Sequence, residues 1–135
     1  MPKKLEVGLK FTKSIVVDER LCVPHMAPIF GEFDSMPPVL ATAYLVAFVE
    51  WTCLTGLRDY IEPGQRTVGT HINLSHTAAT PMGLTVYAEA ELVELNGKLM
   101  QLKIICRDDK QVISEGFHGR AIIDFEKFMN KLGQQ

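Results

Sequence analysis

The stretch from Pro37 to Leu57, PPVLATAYLVAFVEWTCLTGL, constrains this chain more than any other. It is nearly all apolar, yet it holds one carboxylate, Glu50. Two prolines open it, and Pro63-Gly64 follow it. Proline is tolerated in a helix's first turn, and Ser35 just upstream is a candidate cap, so the pattern predicts a helix over 37–57. Apolar groups fall on every side of that cylinder. A helix without a polar face has to be enclosed by protein or by lipid. An ionised Glu in such a place is costly unless it is paired, hydrogen-bonded or put to chemical use.

About twenty mostly apolar residues are long enough to span a bilayer. Against lipid, Glu50 lies past the middle of the run, where a carboxylate is expensive, and no basic cluster flanks it to set a topology. The rest of the chain also reads as strands that need something to pack against. A sheet wrapped around a central helix is therefore expected, with no membrane partner.

The 135 residues suffice for one domain, 1–135, with a real core. Basic and acidic residues number 14 and 16 and are spread along the chain, for a net charge of −2. No basic stripe forms, which argues against nucleic acid as a partner. The start, MPKKLEVGLKF, has basic residues but no apolar run behind them, so it does not read as a signal peptide. Cys22, Cys53 and Cys106 are odd in number and lack C-x-x-C spacing, which points to reduced, buried thiols in a cytoplasmic protein rather than disulfides or metal.

Phe11 to Val17 reads as a first strand. Residues 18–38 then carry four prolines and a glycine, which makes them a loop. A loop of that length suggests a lid, with Phe30, Phe33 and Met36 as the apolar groups it could lay over a pocket. Four strand-like segments follow the helix. In the first, Arg66 to Ser75, Val68, Thr70, Ile72 and Leu74 fall on one face, and Thr67, Gly69, His71 and Asn73 on the other. Leu84, Val86, Ala88, Ala90 and Leu92 make an apolar face in the next, as do Met100, Leu102, Ile104 and Cys106 in the one after. The last, Val112 to Ile123, alternates less cleanly, with Ile113, Phe117, Ala121 and Ile123 on one side. Asn96-Gly97 marks a hairpin. A strict two-residue loop there would set Leu92 opposite Gln101 and mix the faces, so an odd-length loop or a bulge is predicted nearby. Residues 125–132 read as a short terminal helix. The order of elements gives an α+β roll: a curved antiparallel sheet of about five strands around one long helix. Its uncovered edges predict a homodimer.

Four groups of residues invite chemistry. Glu50 is the first. Thr42, eight residues earlier on the same helix, lies roughly 12 Å away along the axis, so one cleft could meet both. A helical Thr commonly returns its hydroxyl to the carbonyl one turn back, which is the bland alternative for Thr42. His76, counted by twos from Ile72 and Leu74, faces the helix and could form a carboxylate–imidazole pair with Glu50. His71 has the opposite parity and reads as a surface residue. Gly69, inside a strand, suggests a bulge or a close approach. Arg120 and His118 share a face opposite Phe117 and Ala121, which makes Arg120 an outward residue that could also grip a phosphate or carboxylate. No nucleotide-binding glycine motif, serine-nucleophile motif or zinc spacing appears, and Cys53 lacks an obvious base.

The segments ATAYLVAFVEWTCL, VGTHINLSHTAATPMGLTV and GFHGRAIIDFEKF together resemble the fluoroacetyl-CoA thioesterase family of hotdog-fold proteins. The likeness spans most of the chain. It implies a hotdog dimer that hydrolyses a short acyl-CoA thioester at the subunit interface, with no cofactor beyond the CoA of the substrate and no metal. By motif position it implies catalytic roles for Thr42, Glu50 and His76, and ligand contacts from Gly69 and Arg120. The family's dedicated fluoroacetyl enzymes place aromatic residues over the acyl pocket. Phe33 keeps that character here, whereas Met36 offers a flexible group instead of a ring.

The expected reaction is thioester hydrolysis. Glu50 would serve as general base toward water or attack the carbonyl itself, His76 as acid or electrostatic stabiliser, and Thr42 as the positioning hydroxyl. A rival from another class is a non-catalytic acyl-CoA or small-ligand binding module on the same fold. A hotdog hydratase would need an Asp–His pair that the sequence does not offer.

Overall fold

The structure, a computed structural model, describes residues 1–133. Strand β1 (Lys10–Val16) is followed by a long irregular segment and the central helix α1 (Thr42–Leu57). Four strands follow: β2 (Gln65–Leu74), β3 (Thr85–Asn96), β4 (Leu99–Asp108) and β5 (Val112–Asp124). Helix α2 (Phe125–Gly133) closes the described chain. All strand pairs are antiparallel, in the order β1-β3-β4-β5-β2. Among the described residues no helix is long and apolar enough to cross a membrane.

The sheet curls around α1. One side of the helix buries Leu45, Phe48, Val49, Cys53 and Leu57 against Val86, Ala88, Ala90 and Leu92 of β3 and Met100, Leu102, Ile104 and Cys106 of β4. Ala88 and Ala90 are small, which leaves room for the helix's larger side chains. Each fully buried Leu or Val contributes roughly 1.5–3 kcal/mol. Gly56 lies flush against the Phe11 ring, where any Cβ would collide.

The helix is shorter than the apolar run. It begins at Thr42, not Pro37, because the segment before it is held extended: Val39 bridges Pro81 and Leu40 bridges Cys22. Ser35 does not cap it. The Ser35 hydroxyl bonds the Glu32 carbonyl instead, and Ala41 occupies the cap position without a side-chain bond. Nor is the helix enclosed all round by its own chain. Ala43, Ala47, Trp51 and Leu54 form an exposed stripe, with Glu50 half-exposed beside it.

The hairpin after β3 carries the predicted bulge. Its loop is Gly97-Lys98, with Asn96 paired to Leu99, and the register shifts between Leu92 and Glu94 so that Leu92 meets Leu102. Two face assignments made from alternation are reversed. In β5, Met100 pairs with Arg120 and Leu102 with His118, so the polar pair points into the core and Phe117 points out. Counting from Ile113 misleads because the register shifts there: Cys106 pairs with Ser114, but Arg107 pairs with Val112. In β2, Thr67 and Gly69 face inward, paired with Ile122 and Arg120. A bulge between Gly69 and His71 then restores the expected parity, with Ile72 inward and His71 outward and exposed.

Candidate functional site

The turn of small residues after β2 sets up the first half of the site. Thr80 donates its hydroxyl to Asp108 at 2.8 Å, and Asp108 in turn accepts from the Lys110 and Gln111 amides. The Leu40 amide reaches the Thr80 carbonyl at 2.9 Å. The start of α1 is thereby tied to this turn, and Thr42 meets His76: Oγ1 lies 2.7 Å from Nδ1. Thr42 opens the helix, so no helical carbonyl one turn back competes for its hydroxyl. His76 lies just beyond the end of β2. Its Nε2 is buried and has no protein partner among the described residues. Burial lowers the His76 pKa, which favours the neutral ring.

Glu50 forms the second half, about two turns further along α1. Its carboxylate lies directly over Gly69: a Cβ at that position would stand 2.6 Å from Oε1. A cleft of about 400 Å³ opens there, lined by Val46, Glu50, Gly69, Thr70, His71, Ile72 and His118. A larger hollow of about 490 Å³ lies at β1 and β3, beside Thr12, Lys13, Tyr87 and Arg107, but no buried ionisable side chain lines it, whereas the Glu50 cleft has His118. Chemistry rather than size singles out the Glu50 cleft.

Behind Glu50 stands Arg120, only 4% exposed. Its Nε donates to Thr67 Oγ1 at 3.0 Å, its Nη2 to the Thr67 carbonyl at 2.8 Å, and its Nη1 to His118 Nε2 at 3.0 Å. Nη1 also lies 3.8 Å from Glu50 Oε1. Burial lowers the Arg120 pKa, but a guanidinium remains charged at neutral pH. His118 is tied at both ring nitrogens. Nδ1 lies 2.8 Å from the His71 carbonyl, which can only accept, so Nδ1 carries the proton. Nε2 faces an arginine N–H, which can only donate, so Nε2 offers its lone pair. Burial chiefly, and the Arg120 charge in addition, push the His118 pKa down against the opposing pull of the His71 carbonyl.

The carboxylate–imidazole pair expected between Glu50 and His76 is not made within one chain. His76 bonds Thr42, and Glu50's ion pair is to Arg120. Gly69 and Arg120 both belong to the Glu50 group. Phe33 and Met36 line neither half. Their loop forms short 3-10 turns, with Phe30 edge-on to Phe33 at 6.2 Å and Met36 exposed. The three cysteines are free and buried, and burial pushes Cys53 and Cys106 up to about 12, which makes Cys53 a poor nucleophile. Among the described residues no three His, Cys, Asp or Glu side chains gather as a metal site would require. Alternation alone does not find Thr67 and His118, the tethers of Arg120, because it sets both on the outward face. Gly69 within a strand is the sequence's one sign that parity breaks there.

An antiparallel sheet of five strands curled around one helix, with ionisable groups gathered between that helix and an edge strand, defines a hotdog-fold protein. Residues 18–126 match the family described as fluoroacetyl-CoA-specific thioesterase, and the chain belongs to that family. It is 39% identical to the fluoroacetyl-CoA thioesterase of Streptantibioticus cattleyicolor over 135 residues, covering 100% of this chain and 97% of the relative. The structure of the fluoroacetyl-CoA thioesterase FlK superposes with a TM-score of 0.93 at 39% identity, covering 98% of each chain. A Thermus thermophilus protein of the thioesterase superfamily shares the fold, with a TM-score of 0.85 at 19% identity over 96% of this chain and 91% of the other.

Proposed function

We propose that this protein hydrolyses a short-chain acyl-CoA of the fluoroacetyl type to the free acid and CoA. The observation that carries the reading is the Glu50 carboxylate resting on Gly69 inside an open cleft, with a fixed guanidinium 3.8 Å behind it. Glu50 takes a proton from water, whose oxygen adds to the thioester carbonyl. Alternatively its own oxygen adds first and the resulting anhydride is hydrolysed. In either route the C–S bond breaks and CoA leaves as a thiolate, a weak base that needs little help. With Thr42 donating to His76 Nδ1, the ring carries its proton on Nε2, where it can stabilise the carbonyl oxygen or protonate the thiolate. Gly69 contacts the ligand from the cleft wall, Arg120 acts on it from behind Glu50, and no cofactor takes part.

The working unit in this reading is a cytoplasmic homodimer. β2 is an edge strand, exposed from Gly69 to Asn73, and it lies beside the uncovered stripe of α1. A second copy paired along β2 would cover both and wall the cleft. The loop carrying Phe33 and Met36 then covers the acyl end. Sedimentation at the mass of two chains supports the pairing, and a monomer at assay concentration excludes it.

Thiol release measured across acetyl-, fluoroacetyl-, propionyl- and longer acyl-CoA tests the function. Release is expected to be fastest for short acyl groups, and Glu50→Gln is expected to slow it about 10²- to 10⁴-fold. Binding of acyl-CoA without thiol release selects the non-catalytic module. Full activity in Glu50→Gln removes the central role of that carboxylate.

A further inference from the structure

We infer that His118 is a positioning residue that holds the Arg120 guanidinium back from Glu50, so that the carboxylate keeps a charge partner without being locked to it. The inference rests on the proposed role of Glu50. A free Arg–carboxylate pair closes into two parallel hydrogen bonds at about 2.7–2.9 Å. Here the separation is 3.8 Å, too long for a hydrogen bond. Of five guanidinium N–H groups, three are committed: two to Thr67 and one to His118. His118 cannot yield, because its ring is pinned on the other side by the His71 carbonyl, at the bulge of β2. A carboxylate caught in a bidentate pair has its lone pairs occupied and is a poorer base and nucleophile. The tether therefore leaves Glu50 oxygens free for water or a carbonyl carbon, with the guanidinium held 3.8 Å away.

Two substitutions separate the ring's two nitrogens. His118→Asn places an amide where Nδ1 was. It keeps the bond to His71 and offers nothing to Arg120. His118→Gln reaches the place of Nε2 and restores an acceptor for Arg120. With acetyl-CoA as the probe, His118→Asn is expected to lower kcat by about 10²-fold with KM little changed, as a misplacement of about 1 Å does. His118→Gln is expected to recover most of that loss. A merely structural role would track melting temperature instead and would show no such ordering. Equal kcat in both variants, whether at the wild-type level or below it, overturns the inference when Glu50→Gln is inactive in the same assay. An active Glu50→Gln overturns the underlying reading and this one with it. Should His118→Asn fail to fold, Thr67→Val cuts a tether from the other side. Wild-type kcat in that variant also overturns the inference.

Discussion

Arg120 approaches Glu50 to 3.8 Å and is fastened by Thr67 and His118 rather than by the carboxylate itself. The fork geometry of the guanidinium makes this possible. Lysine carries the same charge on a single point and cannot reach Thr67 Oγ1, the Thr67 carbonyl and His118 Nε2 together. Arg120→Lys should therefore lower kcat about tenfold or more while also destabilising the fold by about 2 kcal/mol, the range for lost hydrogen bonds to a charged group. Thermal melts and thiol-release kinetics read the two effects separately. Wild-type values in both would show that the fork is dispensable.

Gly69 and Gly116 make a contrasting pair. A Cβ on Gly69 would meet Glu50 Oε1 at 2.6 Å, His118 Cε1 at 3.3 Å and Arg120 Nη1 at 3.7 Å. The closest of these is the tip of a flexible side chain, which can swing aside. A Cβ on Gly116 would collide with the Asn73 backbone carbonyl, which cannot. Gly69→Ala is thus expected to keep the melting temperature and lose about 10² in kcat through displacement of the carboxylate. Gly116→Ala is expected to lower stability first. Circular dichroism melts alongside kinetics distinguish them, and an active Gly69→Ala would mean that the position of Glu50 over β2 does not matter.

The core was legible in the sequence because β3 and β4 alternate cleanly: Val86, Ala88, Ala90 and Leu92, and Met100, Leu102, Ile104 and Cys106, all face the helix. Even the bulge beside the hairpin could be deduced, since a strict two-residue loop at Asn96-Gly97 would set Leu92 opposite Gln101; the loop lies one residue later, at Gly97-Lys98, and the bulge sets Leu92 against Leu102. What alternation could not give was the face of β5 and the first half of β2. There the inward positions hold Thr67 and Gly69 of β2 and Arg120 and His118 of β5, which lie beneath the Glu50 cleft rather than within the apolar cluster. Hydrophobic patterning treats a buried polar cluster as surface, and two register shifts, at Thr70 and beside Ile113, completed the error. The helix start misled for a related reason. Prolines 37 and 38 suit a first helical turn, but bridges to Cys22 and Pro81 claimed the residues after them for extended structure. Thr42 thereby became the first helical residue, the position that frees its hydroxyl for His76.

Thr42 and His76, bonded at 2.7 Å, should act as one unit. Thr42→Val removes the hydroxyl at nearly constant shape, and His76→Ala removes the ring. Each is expected to cost about 10²-fold or more in kcat. The double variant should cost little beyond the worse single, because groups that work through each other are not additive. Fully multiplicative losses would mean that the hydroxyl and the imidazole act separately.

Two histidines give the fold an acid limb of its own. Burial depresses the His76 pKa. Burial and then the Arg120 charge depress that of His118, whose ring nitrogens are both committed to partners in the neutral form. A depressed folded value means that the unfolded chain binds protons first as the pH falls. Their contribution is therefore complete above the unfolded histidine value of about 6.5 and is lost as the pH falls from there through the lower folded values. Carboxylates act in a separate range. Burial acts to raise Asp108, but hydrogen bonds from the Lys110 amide, Thr80 and the Gln111 amide outweigh it and hold Asp108 below its ordinary value, so its loss comes below about pH 4. Melting temperature should accordingly decline between about pH 6.5 and 5, before the carboxylate limb begins. His118→Gln keeps the acceptor for Arg120 and cannot take a second proton, so its decline over that interval should be shallower than that of the wild type. An identical pH dependence in the two proteins would show that the buried His118 ring is not a source of the acid sensitivity.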